Sequence, residues 1–207
     1  MSHAANKAAL DRLRSAQYDW DSGEIRAALD AICAPDAVFK LAHPFGEMTG
    51  GQAFHDQALA VLRAAWPDVE RRDWIVMAGT DDHGNDWVGC GGHFMGTFVA
   101  PFLDIPPTGH LAHMRFHEFY RLKDGKVVEY QALWDIPEVM MQANAWPMAP
   151  SLGREFCVPG PASGDGLIRA ERDDERSRQS QHIIVDMLEH LKRHPSEGGP
   201  EVMEMPR

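Results

Sequence analysis

The stretch that most constrains this chain is residues 98–135, FVAPFLDIPPTGHLAHMRFHEFYRLKDGKVVEYQALWD. Asp124-Gly125 is a strong hairpin signal between two long β-prone runs, 110–123 and 126–134. A Pro-rich loop, 100–108, leads into the first run, and Asp135 follows the second. Strand alternation puts His113, Arg115, His117 and Phe119 on one face. Ala112, Met114, Phe116, Glu118 and Tyr120 take the other, more apolar face. The polar face is either exposed to solvent or the wall of a polar pocket, since inward polar groups are costly unless paired or wetted.

The rest of the chain supplies helices and further strands. Helical spacing runs over 4–20, and a second helix over 24–33 is capped by Asp21 or Ser22. A turn at 34–37 leads to a strand over 38–43, which Pro44 and Gly46 end. A third helix, 52–65, precedes strands at 69–79 and 87–99. The latter is rich in glycine, which permits bends. A short helix over 138–144 closes this part. The order predicts an α+β fold: a strongly curved antiparallel sheet with three N-terminal helices packed on it. We expect a domain over 1–146, a Pro/Gly-rich linker over 147–169, a helix over 170–194 and a flexible tail over 195–207.

With 207 residues, 44% of them apolar, the chain can bury a sizeable core. A formal charge of −11 argues against nucleic acid and anionic membrane surfaces as partners. Three widely spaced cysteines suggest neither a disulfide framework nor a zinc knuckle and fit a reducing compartment. There is no apolar run of the ~20 residues that a membrane span needs, and the first residues carry no secretory signal. A cytoplasmic protein is the expectation.

GGHFMGTF, IPPTGH and FYRLKDGKVVEYQALWD, with AWPDV at 65–69, closely resemble the SnoaL-like polyketide cyclases of the nuclear-transport-factor-2-like superfamily. The resemblance covers roughly 8–146. It implies a cone-shaped fold, cofactor-free acid–base chemistry on a hydrophobic carbonyl compound, and a homodimer formed through the sheet. The acid of the cyclases, at the end of the last strand, falls on Asp135. Ketosteroid isomerases share the cone. Their general base directly precedes a Pro-Phe-Gly turn, which here places His43 in that slot, and their oxyanion donor slot falls on His117. Both slots hold a carboxylic residue in those enzymes, so steroid isomerisation itself is not implied. The helix near Gln179 to Lys192 resembles the first helix of a second copy of the domain, or serves as a packing arm.

These residues form the candidate site. Asp135, shielded by Ala132-Leu133-Trp134, can shuttle a proton or cap the helix that follows. His43 reads as an acid or base or as a core histidine, and His117 as a donor to an enolate oxygen. His93, His113 and Arg115 would contact polar substituents of a ligand, Arg115 otherwise pairing with an acidic neighbour. Trp66, Trp134 and Met95, with Trp20 and Phe54, would line an apolar cavity or fill the core. A metal site is not expected: His113 and His117 stand about 13 Å apart on a strand. A non-catalytic binding protein is the second reading. Epoxide hydrolysis is the third; it needs an Asp–Arg–Asp set, of which only Arg115 and Asp135 are evident.

Overall fold

The structure is a computed structural model that describes residues 2–150, 152–153, 160, 165–167 and 173–192. The chain divides into two compact units, Met1–Arg169 and Ala170–Arg207. The expected tail, and much of the expected linker, lie outside the described residues.

In the first unit, the expected first helix is two helices, α1 (His3–Ala9) and α2 (Asp11–Asp19), meeting at Leu10. Trp20 ends α2 in the left-handed conformation, φ 50°. Asp21 caps α3 (Ser22–Ile32) by accepting from the Glu24 amide at 3.0 Å. Strand β1 (Cys33–Leu41) starts earlier than the Pro35 turn signal suggests. The turn holding His43 then returns the chain into β2 (Glu47–Thr49), too short to leave an alternation pattern. The next helix is α4 (Gly51–Phe54), a π turn (His55–Leu59) and α5 (Ala60–Ala65). Strands β3 (Glu70–Thr80), β4 (Asp86–Thr97), β5 (Leu111–Lys123) and β6 (Lys126–Trp134) follow, then α6 (Ile136–Gln142).

The sheet order is β2-β1-β6-β5-β4-β3. Strands β3 to β6 pair antiparallel, as expected, but β1 lies parallel to β6, so the sheet is mixed. The α+β class stands. The core between helices and sheet is strongly aromatic. Phe39 stacks on Phe54 at 4.8 Å, Trp66 on Phe98 at 4.4 Å, and Phe94 meets Phe116 at 4.7 Å. Each such pair contributes about 0.5–1.5 kcal/mol beyond its buried area.

The second unit contains α7 (Asp174–Leu191), capped by Asp173, which accepts from the Arg176 amide at 2.9 Å. Ile183, Ile184, Met187, Leu188 and Leu191, the expected apolar stripe, are solvent-exposed.

Candidate functional site

The polar face of β5 points away from the helices and the apolar face toward them. Ala112, Met114, Phe116, Glu118 and Tyr120 are buried toward the helices, while His117 and Phe119 are exposed and His113 and Arg115 half-buried on the outward face. The apolar face has the larger free energy of burial, so it turns inward. Residues 112, 114 and 116 are therefore core. The outward face gathers several expected site residues. His93 pairs across from Arg115, Met95 from His113 and Gly91 from His117. The His93 and His113 rings lie 5.5 Å apart, and Trp74 donates its indole N–H to His93 Nδ1 at 3.2 Å.

Asp135 caps α6, accepting from the Glu138 amide at 3.2 Å, and its own amide donates to the Arg115 carbonyl at 2.9 Å. His43 is exposed in the turn between β1 and β2. That turn packs on the end of β6 through Phe45, 5.4 Å from Trp134. Trp66, Trp134, Trp20 and Phe54 fill the aromatic core. Asp135, His43 and His117 thus occupy a cap, a turn and an outward strand position.

The inward face carries a charged cluster that sequence reasoning missed. Arg71 on β3 donates through Nη1 to Glu118 Oε2 at 2.7 Å and to Gln17 Oε1 at 3.1 Å. Its Nε donates to Asp73 Oδ1 at 3.1 Å. Arg14 on α2 donates to the other Asp73 oxygen at 2.8 Å. Tyr120 OH and the Trp134 indole N–H donate to Glu118 at 2.8 and 3.3 Å. The Arg71 and Glu118 side chains are fully buried, Asp73 is 7% exposed and Arg14 17%. Burial works against the Arg71 charge, but Asp73 and Glu118 more than offset it and raise its pKa well above the ordinary value. Burial, then Glu118, raises the Tyr120 phenol.

Asp73 and Arg14 open onto a groove of about 1000 Å³ along β3. Tyr18 and Ser15 of α2 line it, with Trp74, His93, Met95 and Leu111 from the sheet. Of the expected ligand contacts, His93 and Met95 line this groove. The signal for the missed cluster was Glu118 itself: one carboxylate on an otherwise apolar strand face calls for a buried cation. Among the described residues no three His, Cys, Asp or Glu side chains gather to hold a metal ion. No described helix is long and apolar enough to cross a membrane.

No curated protein matches the chain. Several solved structures share the fold. AclR of Streptomyces galilaeus, a proposed hydroxylase, is 22% identical with a TM-score of 0.56, covering 73% of this chain and 92% of its own. IdmH of Streptomyces antibioticus, a proposed polyketide cyclase, is 21% identical with a TM-score of 0.55, covering 67% and 98%. A proposed SnoaL-like polyketide cyclase from Jannaschia sp. CCS1 is 23% identical with a TM-score of 0.55, covering 70% and 95%. The family model for SnoaL-like polyketide cyclases matches residues 11–143, which is well over half of the sequence. The chain belongs to the SnoaL-like polyketide cyclase family.

Proposed function

We propose that this protein is a cofactor-independent acid–base enzyme acting on a hydrophobic carbonyl compound, by aldol-type cyclisation or isomerisation. The observation that carries the reading is Asp73, a carboxylate at the wall of the groove with a guanidinium on each oxygen. Asp73 takes a proton α to the carbonyl, and the part-exposed Arg14 donates to the oxygen on which charge develops. In a cyclisation the enolate carbon attacks a second carbonyl, and Asp73 returns the proton to the alkoxide. Glu118 and Gln17 hold Arg71 in place behind it. His93 and Met95, which also line the groove, contact the substrate.

The roles expected of Asp135, His43 and His117 give a competing base at the end of β6, and one experiment separates the two. Parent, Asp73→Asn and Asp135→Asn are incubated in D2O with an aryl ketone such as 1-tetralone-6-carboxylate, and α-deuterium uptake is followed by NMR. We expect catalysed exchange to fall about 10²-fold or more in Asp73→Asn and to persist in Asp135→Asn. The reverse pattern moves the base to Asp135. A parent that binds the ketone without exchanging it is a binding protein.

Arg71 touching both Asp73 and Glu118 favours a second reading, water activation across an acid–arginine–acid set as in epoxide hydrolysis. Glu118 is closed off by Tyr120 and Trp134, which ranks this reading second. A homodimer through the sheet would use the outward face, where Met77, Phe119 and Leu133 are exposed. Sedimentation of Leu133→Arg against the parent tests it: an unchanged molar mass rules this face out.

A further inference from the structure

The family match ends at residue 143, and structures covered over 92% or more of their own length reach 67–73% of this chain. The residues beyond are an addition to the shared domain. Two described pieces of it, Gly160 and the 3-10 turn Asp165–Leu167, return to β3 within the first unit. The approach is close at both. A Cβ on Gly160 would fall on the Cβ of Trp74, and one on Gly166 would fall on its carbonyl oxygen. Glycine is the residue that lets backbone come this near. Trp74 itself sits where the β3–β4 register shifts, between Asp73 and Ile75. Gly160 and Leu167 both line the groove onto which Asp73 opens.

We propose that Gly160 and the Asp165–Leu167 turn form a wall of the groove and decide which ligands it accepts. The lining points to the class: an amphipathic compound whose apolar body lies on Met95, Leu111 and Leu167 and whose polar end meets Arg14 and Asp73. The proposal rests on the groove being the ligand site. The simpler role, covering an edge strand against pairing with other chains, predicts no effect of Leu167 on binding.

The test uses the full-length protein, with 8-anilinonaphthalene-1-sulfonate as the amphipathic probe and hydrogen exchange over residues 70–80 as an independent readout. Gly166→Val should speed exchange there by about tenfold, the equivalent of about 1.4 kcal/mol of lost protection. Leu167→Trp should leave exchange as in the parent but weaken probe binding by about tenfold. Unchanged exchange in Gly166→Val overturns the wall. Parent-like probe affinity in Leu167→Trp, with exchange retained, overturns its control of ligand entry. A parent that does not bind the probe at the groove, shown by Asp73→Asn and Leu167→Trp titrating alike with it, overturns the ligand-site reading while the exchange result still judges the wall.

Discussion

Arg71 and Glu118 meet at 2.7 Å with neither side chain exposed to solvent. Removing one partner strands the other charge in the core. Arg71→Met or Glu118→Leu alone should therefore cost about 3–5 kcal/mol, while the double variant should cost much less than the sum. Urea unfolding of the four proteins measures this. Additive losses would mean that the two side chains are not coupled.

Glu129 accepts from Lys40 at 2.9 Å and from Arg121 at 2.9 Å. The Lys40 ammonium, with Gln131 and Arg121, holds its carboxyl down at about 2, against an opposing effect of burial. A depressed carboxylate stabilises the fold fully above its unfolded pKa, about 4.3, and the contribution fades as pH falls from there toward 2. Glu129→Gln should lower Tm at pH 7 by about 2–4 °C, the shift that about 1 kcal/mol produces at this size. The gap to the parent should close as the acid limb is descended. A gap that is constant with pH would refute the assignment.

Gly92 in β4 lies against the Arg72 carbonyl and the Phe116 ring, and an added Cβ would overlap both. Gly79 near the end of β3 has nothing within 4 Å of that position. Gly92→Ala should cost about 1–3 kcal/mol through overpacking, whereas Gly79→Ala should be neutral or gain up to about 1 kcal/mol from a less flexible unfolded chain. Thermal melts of the two variants decide; equal effects would mean that β4 has room that its neighbours deny.

Burial pushes the Cys90 thiol up to about 12, and burial with Asp30 nearby does the same for Cys33. At pH 7.5 less than about one thiol in 10⁴ is then a thiolate. In a Cys157→Ser variant, Ellman's reagent should find almost no reactive thiol in the folded protein and two after unfolding in urea. Rapid labelling of either cysteine under native conditions would contradict this burial.

Much of the fold was legible because its signals are local. Asp124-Gly125 forms the β5–β6 turn, with φ positive at both residues, and Asp21 caps α3 as its side chain suggests. The break at Leu10 was not legible, since apolar spacing continues across it. The parallel pairing of β1 with β6 was not legible either, because it joins segments far apart in sequence. The charged cluster on the inward face was not legible from spacing alone. Alternation sorts the β5 residues into two sets but carries no sign, so which set faces the helices was not legible. Glu118 on the apolar set was the clue, and its partner Arg71 lies on a strand two positions away in the sheet.

The parallel pairing also sets the order in which the protein can assemble on the ribosome. Leu41 finds its β6 partner Ala132 only some ninety residues later. At about 5–20 residues per second, β1 waits several seconds with only its short hairpin mate β2, exposing apolar side chains such as Phe39 and Leu41 that the finished core covers. Closing so long a loop is slow, so these side chains stay uncovered until the last strand emerges.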